Sequence, residues 1–308
     1  IMSGNASDSQ IAGFLIALKM RGETRQEITA AAKVMLEKCK SVNAPINAVD
    51  IVGTGGDGKG TLNISTASAL VVASSGVPVA KHGNKNISSK SGAADVLEEL
   101  GVNVQIQPQK VEMCIKNANI GFMMAPIYHP AIKHVMNARQ SLGVRTIFNI
   151  LGPLTNPARV RYSLVGCYSK RLLDPMIRTL QELGSKAAWL VHGADGTDEI
   201  SIAGETDIIE LKNNKISTFK IRPEDAGLAI HPVESILGGS PSENAQALRE
   251  LIEGKPSAYR DAVLFNAAAA MVITEKASSL IDGVKLAAEA IDSGATLKTL
   301  ALLSTETN

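Results

Sequence analysis

Between residues 50 and 125, short apolar runs alternate with helical patterns at close spacing, and few folds accept that alternation. The spacing predicts strands at 50–52, 77–81, 102–106 and 121–125, with helices over about 65–75, 91–100 and 111–117 between them. A helical crossover returns the chain to the same end of a sheet, so successive strands run parallel. Further strand-like runs follow at 160–168, 187–192, 207–211 and 216–221, the last two separated by an Asn213-Asn214 turn. Ala-rich helical patterns cover about 242–254, 258–275 and 277–293. The expected fold class is therefore α/β, a mostly parallel sheet flanked by helices.

The N-terminal residues are different. Ser7 and Gln10 form one capping box and Thr24 and Glu27 a second, each followed by apolar residues at helical spacing. Helices over 7–21 and 24–40, with no strand between them, predict a small helical unit. Another helix is expected over 129–142, ending at Gly143.

Composition then excludes several functions. The 308 residues carry 31 Lys and Arg against 30 Asp and Glu, a net charge of +1, which argues against a dedicated nucleic-acid binder. Aromatics are 3%, too few for base-stacking platforms. The 45% of hydrophobic residues are ample for a buried core. Cys39, Cys114 and Cys167 are widely spaced, which disfavours a disulfide framework and fits the cytoplasm. No apolar run reaches the ~18 residues of a membrane span. The chain begins at Ile1 without a signal-peptide pattern, and a missing N-terminal piece is expected.

The chemistry-bearing stretch is Gly53-Thr54-Gly55-Gly56-Asp57-Gly58-Lys59-Gly60-Thr61, directly after the first strand. Glycines without Cβ let backbone N–H groups converge on an anion, whereas a plain flexible loop is the bland alternative. Two familiar patterns nearly fit. Gly53-x-Gly55-x-x-Gly58 matches the dinucleotide fingerprint, but no helix opens at once and no acid stands ~20 residues on. Gly53 to Lys59 matches a P-loop up to Gly60, which replaces the magnesium-binding Ser or Thr. Asn63-Ile64-Ser65-Thr66 then opens a helix, either as simple caps or as a second anion site. A third element, from Lys81 to Gly92, also follows a strand, where ligands of α/β sheets bind. His82 has no carboxylate nearby in sequence, so proton transfer is not its expected role.

These residues carry a resemblance. Gly53-Thr54-Gly55-Gly56-Asp57, Asn63-Ile64-Ser65-Thr66 and Lys81-His82-Gly83-Asn84 resemble the signature of the anthranilate phosphoribosyltransferase family. So do His129-Pro130, the stretch from Arg139 through Gly143-Val144-Arg145-Thr146 to Asn149, Leu151-Gly152-Pro153-Leu154-Thr155-Asn156-Pro157, and Asp198-Glu199. The motifs stand in the family's order along most of the chain.

The resemblance implies that the phosphoribosyl group of 5-phosphoribosyl 1-pyrophosphate (PRPP) moves to the amine of anthranilate, a step of tryptophan biosynthesis. It implies PRPP contacts from Gly53, Gly56, Asp57, Thr61, Asn63, Ile64, Ser65, Thr66, Lys81, His82, Gly83, Asn84, Lys85, Asn86, Ile87, Ser88 and Ser89. Anthranilate would meet Gly53, Asn84 and Arg139, with His129 and Pro153 lining its channel. Arg139 suits a carboxylate, although Arg145 competes for that role. Up to two Mg²⁺ would be held by Ser65, Asp198 and Glu199, whose hard oxygens suit that ion. No dedicated acid or base is expected. One departure is Ala93, where the family often has Ser. The implied architecture is a discontinuous helical domain (1–45 plus about 129–155) and an α/β domain (46–128 plus about 156–308), in a homodimer joined through the helical domain. The alternatives are a pyrimidine-nucleoside phosphorylase-like enzyme and a non-enzymatic nucleic-acid-binding relative of the same fold.

Overall fold

The computed structural model describes residues 1–85 and 90–308. Asn86, Ile87, Ser88 and Ser89 lie outside the described residues. Seven strands form one sheet: β1 (Val49–Gly53), β2 (Val79–Gly83), β3 (Ile120–Met124), β4 (Tyr162–Gly166), β5 (Ala187–Gly193), β6 (Thr206–Lys212) and β7 (Lys215–Ile221), in the order β3-β2-β1-β4-β5-β6-β7. The strands from β3 to β5 are parallel, and β6 and β7 add antiparallel edges. Asn213 and Asn214 both adopt positive φ, as the tight β6–β7 turn requires. The chain winds outward from β1 in one direction and from β4 in the other. The switch point, where ligands bind in such sheets, therefore lies between β1 and β4.

Both N-terminal capping boxes form, and the helices run Asp8–Arg21 and Arg25–Lys38. Ile11, Leu15 and Leu18 of the first and Ile28, Ala32 and Met35 of the second enter a core shared with Val135, Ile147, Ile150 and the Leu173–Glu182 helix. The first helix packs on Lys133–Leu142, and the second on Ile147–Leu151 and Leu173–Glu182. The C-terminal helices, Pro241–Ile252, Ala258–Ile273, Leu280–Asp292 and Ala295–Thr307, belong to the larger core around β1–β3.

Two expectations fail, each for a local reason. Residues 102–106 are not a strand. Val102, Val104 and Ile106 alternate inward as expected, but the backbone pairs with no strand, and the Asn103 amide donates instead to Thr307 Oγ1 of the last helix. Side-chain alternation reports a half-buried extended segment, not its hydrogen-bond partner. The 129–142 helix is broken. Pro130 bars its predecessor from α geometry, so His129 (φ −117°, ψ 67°) is irregular, a 3-10 turn covers Pro130–Ile132, and the helix proper is Lys133–Leu142.

Candidate active site

Gly53 and Gly166 end β1 and β4 and stand side by side in register. A Cβ on Gly53 would overlap the Asp198 carboxylate, and one on Gly166 would overlap the Asp198 carbonyl oxygen. These two glycines thus let the 198 segment lie across the strand ends at the switch point. The glycines that follow serve geometry of another kind: Gly55, Gly56, Gly58 and Gly60 all have positive φ, which L side chains resist. The loop closes on Asp198. The Gly55 amide donates to Asp198 Oδ2 at 2.7 Å, and Asp57 Oδ1 accepts from the Lys59 amide at 3.1 Å. Asp57 also faces the Asp198 amide, whose nitrogen is 3.4 Å from Asp57 Oδ2.

The acidic pair is aimed by its own loop. Asp195 accepts from the Thr197 amide and from the hydroxyls of Thr197 and Ser201, while buried Asn266 clamps both the amide and the carbonyl of Ile200. Desolvation raises the Asp198 carboxyl, with neighbouring Asp57 adding to it. Desolvation also raises Glu199 well above the usual range, reinforced by Asp198 and only partly offset by Lys81. The Ser65 amide, in the first turn of the Ile64–Ser74 helix, favours the Glu199 anion. Three carboxylates thus crowd one place with too little positive charge around them.

That donor set fits magnesium. Among the described residues no three His, Cys, Asp or Glu side chains close a metal cage. Mg²⁺ needs none, because it keeps water and substrate phosphate oxygens and takes only one or two protein carboxylates. Asp198 and Glu199 can supply these, with the Ser65 backbone amide at Glu199. A divalent cation would offset the desolvation, and the repulsion that adds to it, by which both carboxyls are raised.

Asn63 does not cap its helix as the simple reading of that stretch expects. Its side chain faces Ser91 and accepts from Asn244 at 2.8 Å, and its carbonyl accepts from Tyr259. The helix start is therefore open to an anion. Thr66 Oγ1 is buried without a hydrogen bond, a donor with no internal acceptor. Ile64 is buried in the core, with its amide given to the Leu62 carbonyl. Thr61 bridges to Leu237, which ties down the end of the glycine loop.

Lys81 and His82 are buried at the end of β2. Burial lowers the Lys81 ammonium, countered by Asp50 and Glu199. Gly83 leaves room for the Phe122 ring, which a Cβ would approach to 2.7 Å. The Asn84 carbonyl accepts from the Ala94 amide, and Lys85 pairs with Glu98 at 2.8 Å. His82 Nδ1 lies 3.1 Å from the Gly152 carbonyl, in the turn that holds buried Pro153. The His82 and His129 rings are 5.1 Å apart. Among the described residues His82 Nε2 has no hydrogen-bond partner, and the His129 ring, itself without a well-formed hydrogen bond, faces the backbone of Met35 and Thr155. Burial pushes His82 down to about 3 and His129 to about 4, so both are neutral near pH 7.

The two arginines separate. Arg145 stacks on Tyr168 at 4.4 Å and donates to the Gly56 carbonyl, which occupies it at the glycine loop. Arg139 is half-buried over the Phe148 ring, its guanidinium lowered by burial and paired with no acid among the described residues. Arg139 is the one left available for a carboxylate. Sequence reasoning missed Asp50, Asn156, Gly166 and Asn266. Of these, Gly166 carried a signal as a glycine ending a strand, and Asn156 as part of the Leu151–Pro157 stretch.

This arrangement, an anion-binding glycine loop facing a helix start and an acidic pair across a parallel sheet, defines a class. The chain matches the glycosyl transferase family, a/b domain, over residues 46–297 and the same family's helical bundle domain over residues 1–39, and it belongs to that family. Among its relatives is the anthranilate phosphoribosyltransferase of Parvibaculum lavamentivorans, 53% identical over 308 residues, which are 100% of this chain and 90% of the relative. The crystal structure of the Thermus thermophilus anthranilate phosphoribosyltransferase is 42% identical, with a TM-score of 0.94 over 99% of this chain and 92% of that one. The Saccharomyces cerevisiae enzyme in complex with PRPP and Mg is 32% identical, with a TM-score of 0.89 over 97% and 85%. The same yeast enzyme has also been solved with 4-fluoroanthranilate.

Proposed function

We propose that this chain is an enzyme that transfers the 5-phosphoribosyl group of PRPP to the amine of anthranilate. It releases pyrophosphate and N-(5-phosphoribosyl)anthranilate, the second step of tryptophan biosynthesis from chorismate. The observation that carries this reading is the Gly53–Gly166 pair, which seats Asp198 and Glu199 against a glycine loop and an open helix start. Neither alternative has a comparable observation behind it.

Breaking the ribose C1–O bond leaves positive charge on the sugar and negative charge on pyrophosphate. The protein's task is positioning and charge stabilisation. The amides of Gly53–Thr61 and the helix start at Asn63–Thr66 receive phosphate oxygens. Lys81 adds a buried cation beside Glu199. Asp198, Glu199 and Ser65 would hold up to two magnesium ions, which when bound neutralise pyrophosphate charge. Arg139 orients the anthranilate carboxylate, with Gly53, Asn84, His129 and Pro153 around the ring. His82 and His129, being neutral, add no positive charge near the developing oxocarbenium ion. The aryl amine is weakly basic and needs no dedicated base.

The packing of Asp8–Arg21 on Lys133–Leu142 supports a helical domain of residues 1–45 plus about 129–155, the remainder forming the α/β domain. Phe14 (50% exposed) and Met20 (80% exposed) lie on the first helix, and we place a homodimer contact there. A mass measurement in solution tests it, and a monomer at micromolar concentration would refute it. Free Cys39, Cys114 and Cys167 suit a cytoplasmic enzyme. Among the described residues no helix is long and apolar enough to cross a membrane. The functional test is loss of anthranilate fluorescence with Mg²⁺ and PRPP. An unchanged signal refutes the assignment.

A further inference from the structure

The parallel ladder between β1 and β2 forms at Val49↔Val79 and goes no further. The next rung would join Ile51 to Ala80 and His82 through their backbones. Side chains take every one of those groups instead. Lys81 Nζ donates to the Ile51 carbonyl at 2.5 Å, and the His82 amide donates to Asp50 Oδ1 at 3.1 Å. Asn156 Nδ2 donates both to the Ala80 carbonyl at 2.8 Å and to Asp50 Oδ2 at 2.7 Å. The Ile51 amide also faces the Asp50 carboxylate. The two strands are thus held apart at their carboxyl ends by a buried Asp, Lys and Asn.

Such a set is costly. A buried carboxylate and ammonium lose hydration that apolar residues would not lose, and a plain strand residue at position 50 would let the ladder close. A rule broken locally at the mouth of a site points to the site. Asn156 stands just beyond the Gly152–Leu154 turn, whose Gly152 carbonyl meets His82 Nδ1. Asp50 therefore ties together the end of β2 and the turn that carries Pro153.

We propose that Asp50, acting through Asn156 and the His82 amide, is a positioning residue for the transfer reaction: it fixes the contact between His82 and the Gly152–Leu154 turn, against which anthranilate sits. This rests on the function proposed above. PRPP is anchored chiefly on the glycine loop and the Ile64–Ser74 helix, which Asp50 does not hold, although its proposed contacts Lys81 and His82 adjoin Asp50, so anthranilate responds more strongly than PRPP.

In Asp50→Asn the new amide faces the Asn156 amide, donor against donor. Loss of one hydrogen bond to a charged group corresponds to a ~10–100-fold rise in the anthranilate KM. The PRPP KM rises by ~3-fold at most, since the glycine loop and the helix start do not depend on Asp50. Asn156→Ala shifts the anthranilate KM in the same direction while leaving Asp50 beside Lys81, and it serves if Asp50→Asn folds poorly. The exchange Asp50→Asn/Asn156→Asp restores donor to acceptor between the two side chains but leaves the Ala80 carbonyl without its donor, so it recovers only ~3-fold of the loss. A purely structural role gives the opposite split: kcat falls with the folded fraction, both KM values hold, and the exchange rescues nothing. That result, or an unchanged enzyme, overturns the proposal. Wild-type turnover is measured alongside. A wild type without turnover overturns the functional reading itself, whereas active wild type with the structural split overturns only the role of Asp50.

Discussion

Gly53→Ala isolates one contact. Gly53 has no positive φ, so β1 accepts an alanine backbone, and the added methyl meets only the Asp198 carboxylate and the carbonyl behind it. The obstacle is the end of a side chain, which yields by rotating. Rotation breaks the 2.7 Å bond from the Gly55 amide and takes one carboxylate away from the acidic pair. A hydrogen bond to a charged group is worth ~1.5–3 kcal/mol, and at ~1.4 kcal/mol per decade kcat/KM falls ~10–100-fold. The assay is the initial rate of anthranilate fluorescence loss, measured over a range of Mg²⁺ at saturating PRPP. The magnesium requirement should rise together with the fall in rate, because the same carboxylate serves both. Thermal stability should change little, since moving one of three crowded acids also relieves repulsion. A variant within ~3-fold of wild type at every magnesium concentration would refute the seating of Asp198 on Gly53.

Three further outcomes follow from the geometry. Arg139→Ala should raise the anthranilate KM ~10–100-fold, far more than the PRPP KM, because a guanidinium–carboxylate pair is lost; equal effects on both would remove Arg139 from that role. Chelation should abolish turnover and added magnesium restore it, with Glu199→Gln raising the concentration needed; turnover that persists in excess chelator contradicts the metal reading. The two buried histidines should each cost stability below neutrality. His82 and His129 are depressed to about 3 and about 4, so between those values and ~6.5 the unfolded chain binds protons that the native chain does not, and stability rises with pH by up to ~1.4 kcal/mol per unit for each. Asp50, raised to about 6 by burial, Asp198, raised to about 7, and Glu199, raised well above the usual range, work in the opposite sense above ~4, so the histidine share is read by difference. Replacing His129 with Asn should make the variant gain stability relative to wild type as pH falls from 7 to 4 in a melting series, and an unaltered difference would count against its burial as a neutral ring.

The sequence was most legible where chemistry is local. The capping boxes at Ser7 and Thr24, the Asn213-Asn214 turn and the β1, β4, β5, β6 and β7 positions follow from residues within a few places of one another. The 102–106 segment shows the limit, since its alternation is real but a Thr307 hydroxyl, 204 residues away, takes the Asn103 amide. The break at His129 was encoded in Pro130, which outweighs the surrounding helical spacing. At the site, the glycine loop and Asp198-Glu199 stood out as motifs, and geometry now puts them in contact. Asp50 carried no motif, and Asn156 lay within the Leu151–Pro157 stretch without a role of its own, because what they do depends on a gap between strands that only folding creates. The resemblance favoured Arg139 with Arg145 as its competitor, and packing on Phe148 and Tyr168 now separates the two.

The most direct test of the whole account is stoichiometry. The purified chain is incubated with Mg²⁺, PRPP and anthranilate, and the loss of anthranilate fluorescence is compared with the pyrophosphate released. One pyrophosphate per anthranilate consumed, with no phosphorolysis of thymidine or uridine when phosphate replaces PRPP, is the expected result. Intact anthranilate together with cleavage of either nucleoside would contradict it.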